Sequence, residues 1–191
     1  MGKVVMHNVV SVDGFIADDN DDVGPLFDWY FAGDVPVGGF TVTRQSADYL
    51  ESTWARTGCL VIGRRLFDLM NGWDGTPPAG IAHVVVVSHR PRPDGWHPDA
   101  PYHFIGDLQT AAQQAQMLAQ DRDVGVAAGE VGGQFLAAGL VDEIAMDIAP
   151  VVLGSGRRFF GATHAQQLLQ DPDVVIRGHR VLHLRYAVRH G

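Results

Sequence analysis

Residues 126–136 read Val-Ala-Ala-Gly-Glu-Val-Gly-Gly-Gln-Phe-Leu and join an apolar run to a helix-compatible segment. The apolar run over residues 124–128 is typical of a short buried strand, and the pattern over residues 132–138 is typical of a helix. A strand that passes through a glycine turn into a helix is the repeating unit of an α/β sheet. The glycines also let bare backbone N–H groups approach a phosphate at the start of the helix.

The same alternation continues on both sides of this stretch. Predicted strands cover residues 4–10, 59–62, 83–87, 102–105, 124–128, 144–148, 174–178 and 181–188, and predicted helices cover residues 44–56, 64–71, 108–120 and 132–138. The last two strands have no helix between them. We therefore predict a three-layer α/β fold with a mostly parallel central sheet, helices on both faces and an antiparallel C-terminal strand pair.

The composition fits one domain over residues 1–191. At 46% hydrophobic and 19% charged residues, the chain has enough apolar material to bury a core without a metal or disulfide. The single cysteine, Cys59, lies in an apolar run, which predicts a packing role. The N-terminus turns polar too early for a signal peptide and no window resembles a membrane span, so we expect a cytoplasmic location and no membrane partner.

The formal net charge of −8 makes nucleic acid an unlikely main partner, because the surface as a whole repels phosphate backbones. Basic clusters at residues 64–65, 90–92 and 157–158 remain able to hold a small anion. Residues 18–39 combine an acidic run with prolines, glycines and the aromatics Phe27, Trp29, Tyr30 and Phe31. We interpret this segment as a long ordered loop or lid whose aromatics pack the lid or serve a flat ring ligand.

Three turns at successive strand ends carry residues that suit a phosphorylated ligand. They are Gly63-Arg64-Arg65, Ser88-His89-Arg90 and the turn that opens at Gly129. Each turn taken alone also fits ordinary turn chemistry or a solvated arginine. Their occurrence at successive strand ends favours one ligand that lies across several strands.

The order of several motifs resembles the dihydrofolate-reductase-like superfamily over nearly the whole chain. These are S-V-D-G-F-I-A at residues 11–17, G-R-R at 63–65, the turn at 129–136, G-L-V-D-E-I at 139–144 and A-P-V-V-L-G-S-G at 149–156. The likeness is greatest to the reductase domain of the bifunctional riboflavin-biosynthesis deaminase-reductase and to its stand-alone relatives. Fold and function are expected to follow this resemblance.

The resemblance implies NADPH as the cofactor and reduction of a small heteroaromatic or carbonyl-containing metabolite, riboflavin-pathway or pterin-like. By similarity, Gly63 and Arg64 hold the adenine-side phosphate with Arg65, Ser88 and Arg90 nearby. The helix start at Gly129, Glu130, Val131 and Gly132 cradles the pyrophosphate, and backbone groups near Val9 and Ile16 face the nicotinamide carboxamide. The stand-alone relatives also imply a homodimer, which we expect to form through the apolar C-terminal strands.

Three departures from the family pattern leave other functions open. Leu66 replaces a hydroxyl residue that usually touches phosphate, Ala128 replaces the first of two paired glycines, and the zinc signature of the deaminase half is absent. A nucleotide-binding dimeric module without turnover is the alternative, and a structural dimer with a vestigial cleft is a third possibility.

Candidates for a catalytic acid are Asp13, in the S-V-D-G motif, and Asp48, on the helix before the Cys59 strand; Glu51 lies on the same helix. A turn residue is the alternative for Asp13, and a solvated helix surface is the alternative for Asp48. His179 and His183 have a ligand-like spacing, but they fall in the late strand pair. We interpret the histidines as unpaired surface or sheet residues and expect no metal site.

Overall fold

An eight-stranded sheet forms the centre of the protein in a computed structural model that describes residues 2–162 and 166–189. The strands of the described residues are β1 (Val4–Ser11), β2 (Phe15–Ala17), β3 (Val35–Val37), β4 (Phe40–Val42), β5 (Thr57–Gly63), β6 (His83–Val87), β7 (Tyr102–Ile105), β8 (Asp123–Ala127), β9 (Glu143–Ala149), β10 (Arg157–Arg158), β11 (Val174–Arg177) and β12 (Leu182–Ala187). The helices are α1 (Arg44–Arg56), α2 (Arg64–Leu69), α3 (Leu108–Ala119) and α4 (Glu130–Ala137).

The strand order in the main sheet is β11-β12-β9-β1-β8-β5-β6-β7. The six strands from β9 to β7 are parallel, whereas β12 runs antiparallel to both of its neighbours, β9 and β11. The predicted parallel sheet and the antiparallel C-terminal pair are thus confirmed. Because β12 lies inside the sheet, β11 alone forms that edge.

Helices cover both faces of the sheet, as predicted. Alternate residues of β1 point to opposite faces, so Met6 and Val10 pack in the core beneath α3 and α4 while Val9 packs beneath α1. On the outer strands, Phe67 of α2 packs against Val84 and Val86 of β6. The sheet therefore separates two apolar layers, with α1 and α2 on one side and α3 and α4 on the other.

Capping residues set the helix boundaries. The Asp107 side chain accepts a hydrogen bond of 2.8 Å from the backbone N–H of Thr110 and starts α3. Helix α4 begins at Glu130, two residues before the predicted start, because Gly129 takes φ +101° and turns the chain directly from β8 into the helix. Among the described residues, no helix is long and apolar enough to cross a membrane.

The segment over residues 18–39 has more regular structure than the sequence indicates. A 3₁₀ segment over Gly24–Phe31 buries Leu26 and Trp29 in the layer beneath α1. The short strands β3 and β4 form a hairpin beside it, and β2 pairs with β10. These four strands were not predicted, since runs of two or three residues are too short to show a period.

Candidate functional site

A cleft of about 1800 Å³ lies on the α1 face of the sheet and opens at the carboxyl ends of the parallel strands. Its floor includes Val5, His7, Gly125 and Ala145, whose small or medium side chains leave room above the sheet. Parallel α/β sheets collect ligands at this edge. The cleft joins two parts, which differ in chemistry.

The first part is the carboxyl edge of the sheet, where β5 and β8 lead into α2 and α4. Gly63, Gly129, Glu130 and Val131 all line the cleft. A β-carbon on Gly63 would lie 2.9 Å from Cγ2 of Val131, and one on Gly129 would lie 3.2 Å from Cδ1 of Ile16. Glycine at both positions therefore preserves the space beside the first turn of α4, whose N–H groups have no partner within the helix.

Three other residues predicted to contact the cofactor, Gly132, Glu130 and Val9, make structural contacts near this edge. Gly132 lies where a β-carbon would be 2.8 Å from the carbonyl oxygen of Ala127, so it fits α4 against β8. Glu130 accepts hydrogen bonds from the side chain of Gln134 and from the backbone of Ala162. Val9 is buried in the layer beneath α1 and is not among the cleft residues, so only its main chain is able to serve a ligand.

Arginines of two distant segments meet at the mouth of the cleft. The Asp21 carboxylate bonds both Arg65, at 2.9 Å from Nε, and Arg157, at 3.0 Å from Nε. The two guanidinium groups, Arg65 first, hold the pKa of Asp21 at about 2. Arg65 and Arg157 both line the cleft, together with Arg158. This edge thus presents concentrated positive charge that one loop carboxylate partly neutralises.

The other predicted phosphate contacts lie outside the cleft. Arg64 donates to Asp68 at 2.8 Å and to the carbonyl of Pro91 at 2.9 Å, so it braces α2 against the loop after β6. Ser88 bonds the backbone of Arg90, and the Arg90 guanidinium pairs with Asp68 at 2.9 Å. Arg90 borders a smaller hollow that it shares with Arg65. The structure therefore brings Arg65 rather than Arg64 to the cleft.

Neither predicted acid lines the cleft. Asp13 accepts hydrogen bonds from the Ser11 hydroxyl at 2.6 Å and from the backbone of Leu153 and Gly154. The bond from Ser11 is the main cause of a lowered pKa for Asp13, and a carboxylate of this kind holds no proton near neutral pH. Asp48 is exposed on α1 and pairs with Arg44 at 3.7 Å. Both therefore match the structural alternatives given for them.

The second part of the cleft is an apolar slot between the sheet and α1. Tyr30 and Phe40 stack with ring centroids 4.2 Å apart, and Phe27, Phe31 and Trp54 line the same space. Tyr49 Oη and Arg185 Nε are buried in the slot, where Arg185 and Thr53 lie near the Tyr49 hydroxyl and Arg185 also pairs with Glu143 at 3.4 Å. Their remaining hydrogen-bonding capacity is available to a bound molecule. The slot suits a flat ring with polar edge groups.

A chain of polar side chains that no sequence motif indicates lies at the floor of the slot. Asp147 on β9 bonds Nε2 of His7 at 2.8 Å and Nδ1 of His183 at 2.6 Å, and Nε2 of His183 lies 2.9 Å from the Ser46 hydroxyl. His183 is wholly buried and paired, so its interpretation as an unpaired histidine was wrong. No local pattern shows this chain, because His7 and Asp147 are 140 residues apart.

His179, the other half of the ligand-like pair, bonds the carbonyl of Ala32 at 2.7 Å. Nδ1 of His179 is therefore already hydrogen-bonded to the main chain and does not act together with His183. Within the described ranges, no group of three or more His, Cys, Asp or Glu side chains is placed to hold a metal ion.

The sheet order and the cleft at the carboxyl ends of its strands define a dihydrofolate-reductase-like α/β protein. The family model described as the RibD C-terminal domain matches residues 2–183, and the chain belongs to that family. A search of curated proteins found no match.

Solved structures share the fold at low sequence identity. A candidate riboflavin biosynthesis protein from Shewanella sp. PV-4 is 21% identical with a TM-score of 0.71, and each chain covers 100% of the other. A pyrimidine reductase-like protein from Corynebacterium diphtheriae is 14% identical with a TM-score of 0.67, and the match covers 100% of this chain and 93% of that one.

A longer protein also matches, over part of its length. It is the diaminohydroxyphosphoribosylaminopyrimidine deaminase/5-amino-6-(5-phosphoribosylamino)uracil reductase from Thermotoga maritima, at 13% identity and a TM-score of 0.64. The match covers 98% of this chain but only 57% of that one.

Proposed function

We propose that this protein is an NADPH-dependent reductase of a small, flat metabolite with a carbonyl or imine group, of the pyrimidine or pterin kind. The observation that carries the proposal is the continuity of the cleft. A glycine-lined edge that favours phosphate runs without interruption into an aromatic slot that suits a ring. Family membership agrees, because reductases of this family generally use NADPH.

The residues at the carboxyl edge fit the cofactor. The first turn of α4, at Glu130 and Val131, would hold the pyrophosphate, and the absence of side chains at Gly63 and Gly129 leaves the main chain accessible. Arg65 and Arg157 would meet the additional phosphate that distinguishes NADPH from NADH. When bound, the cofactor supplies the hydride.

The slot beneath α1 fits the metabolite. Burial raises the pKa of Tyr49, so its hydroxyl stays protonated and able to donate a hydrogen bond. The Arg185 Nε also has a hydrogen to donate, and both groups would meet carbonyl oxygens on the edge of a ring. The names of the Corynebacterium and Thermotoga proteins point to pyrimidines, which carry such oxygens.

The test measures binding and turnover separately. Fluorescence titration with NADPH and NADH is expected to show tighter binding of NADPH. Absorbance at 340 nm would then follow NADPH oxidation with 5-amino-6-(5-phosphoribosylamino)uracil and, in a second series, with 7,8-dihydrofolate. Binding without oxidation of NADPH by either compound would favour the nucleotide-binding module instead, and no binding would refute the proposal.

A further inference from the structure

The buried polar chain on the α1 face has a direct route to the cleft. Asp147 and His183 are fully buried, whereas the His7 side chain is one third exposed and lines the cleft floor. Within residues 2–162 and 166–189, His7 is the one histidine that lines the cleft. His7 therefore links the buried Asp147 carboxylate to a ligand in the cleft.

Hydrogen bonding fixes how the members of the chain are protonated. Burial alone would raise the pKa of Asp147, but the charge of His7 and the hydrogen bonds from both histidines lower it below its ordinary value. An ionised carboxylate only accepts, so Nδ1 of His183 and Nε2 of His7 each donate to it. Nε2 of His183 lies 2.9 Å from the Ser46 hydroxyl, which holds the ring in place beside Asp147.

His183 is buried and does not line the cleft. Its ring lies 4.4 Å from Tyr49 and 5.2 Å from Trp29, measured between ring centroids, and these aromatics separate it from solvent. His7 differs because Asp147 occupies only its Nε2 atom. Its Nδ1 atom is the one through which the chain reaches the cleft.

We propose that His7 is the proton donor to the substrate of this cleft and that Asp147, held by His183 and Ser46, is its positioning residue. This proposal rests on the proposed reductase function. When a C=N or C=O bond is reduced, its carbon gains the hydride from NADPH, which is oxidised to NADP⁺, and its nitrogen or oxygen gains the π electron pair and needs one proton. The Nδ1–H bond of His7 breaks, the electron pair stays on Nδ1, and the neutral ring then recovers a proton from water.

Other titratable groups of the cleft are less suited to this role. Asp123 is bonded to Arg56 at 2.7 Å and to the backbone of Lys3, and Asp21 is paired with two arginines. Both carboxylates already accept hydrogen bonds from arginine. The charged or titratable groups that face His7 from neighbouring elements are Asp147 and Glu143 on β9, His183 and Arg185 on β12, Tyr49 on α1, Tyr30 on the 3₁₀ segment and Asp123 on β8.

The first experiment needs no cofactor. In ¹⁵N spectra of the imidazole groups, the neutral His7 ring is expected to carry its proton on Nε2, and Asp147→Asn is expected to lose this preference. Asp74→Asn is a matched control, because Asp74 pairs with exposed His97 at 3.0 Å away from the cleft lining. A proton on Nδ1 of neutral His7 in the unaltered protein would overturn the proposal.

The second experiment uses the pH profile of NADPH oxidation with whichever test compound is reduced. His7→Gln is expected to lower kcat by about 100-fold or more and to remove the alkaline limb that loss of the His7 proton produces. Asp147→Asn is expected to move that limb to lower pH, because the carboxylate that favours the charged ring is gone. Asp74→Asn is expected to keep the original profile.

These outcomes separate the two proposals. An unchanged kcat and pH profile in His7→Gln would overturn the role of His7 while the reductase function stands. If NADPH binds to no variant or neither compound is reduced, the reductase function fails, and the imidazole spectra alone decide whether the His7 and Asp147 pair exists. Should Asp147→Asn fail to fold, His7→Gln carries the test, since His7 lies at the surface of the cleft.

Discussion

The carboxylate of Asp21 lies 2.9 Å from Nε of Arg65 and ties the acidic loop to the carboxyl edge of the sheet. Asp21 also holds Arg157, so one loop residue occupies the two cleft arginines that suit a phosphate. A phosphorylated ligand at this edge must therefore compete with a carboxylate of the protein itself.

Because a phosphate competes with Asp21, substitutions of Arg65 and of Asp21 are expected to change NADPH binding in opposite directions. Arg65→Ala is expected to weaken NADPH binding severalfold and to leave NADH nearly unaffected, because only NADPH has the additional phosphate. Asp21→Asn is expected to tighten NADPH binding by about two- to fivefold, the range of an exposed ion pair. Fluorescence titration of both cofactors measures the effects. Arg64→Ala is the matched control, and a larger loss of NADPH binding there than in Arg65→Ala would contradict the assignment.

The same ion pairs predict how the loop responds to acid. The pKa of Asp21 is about 2 in the folded protein and about 4 in an unfolded chain. The ion pairs of Asp21 therefore stabilise the loop above pH 4, and this stabilisation is lost as the pH falls toward 2. Protection factors of residues 18–39, which are corrected for the pH dependence of intrinsic hydrogen exchange, should decrease over this window. In Asp21→Asn, these residues should already be less protected at pH 5, and their protection should not fall further between pH 4 and pH 2.

Gly63 and Val131 provide a test of the space at the cofactor edge. In Gly63→Ala, the new methyl group would lie 2.9 Å from Cγ2 of Val131, and we expect a loss of stability of about 1–3 kcal/mol together with weaker NADPH binding. The backbone of Gly63 is ordinary, with φ −82°, so strain from the alanine itself is not expected. The double variant Gly63→Ala/Val131→Ala should recover part of both losses. Thermal unfolding and fluorescence titration measure them.

Cys59 was predicted to be a packing residue, and its complete burial confirms this. Burial raises the pKa of the Cys59 thiol to about 12, so almost no thiolate exists at pH 8. We expect iodoacetamide to leave the folded protein unmodified at this pH and to alkylate it fully in guanidinium chloride. Mass spectrometry would show the difference, and rapid alkylation of the folded protein would contradict it.

The homodimer expected from the sequence remains a prediction. Strand β11 forms an edge of the sheet and exposes 61% of Val175, which is consistent with pairing through this edge. Light scattering is expected to give about twice the chain mass of 20.7 kDa. Val175→Lys should shift the mass toward the monomer, whereas Met117→Lys, at an equally exposed position on α3, should not.

The sequence predicted the parts of the fold that depend on local pattern. The strand and helix alternation, the Asp107 cap and the antiparallel final strands follow from residues near one another in the chain. The 3₁₀ segment over Gly24–Phe31 is held by burial of Leu26 and Trp29 against distant elements, which no local pattern reveals.

The sequence likewise predicted only those parts of the site that lie in recognisable local turns. Gly63, Arg65 and Gly129 occupy turns that the sequence shows, and all three line the cleft. His7 and Asp147 meet only because β1 and β9 pair side by side, so neither residue is conspicuous in its own segment. Arg64 and Arg65 are indistinguishable in sequence. In the structure, the Arg64 side chain bonds the loop after β6, whereas the Arg65 side chain lines the cleft.

The place of β12 between β9 and β11 has a consequence for folding of the protein. This strand contributes His183 and Arg185 to the α1 face of the sheet. A folding intermediate in which β12 has not yet docked leaves the edge of β9 open and Asp147 without one of its partners. The cleft floor therefore depends on the docking of β12, and variants that weaken this strand are expected to aggregate through the edge of β9.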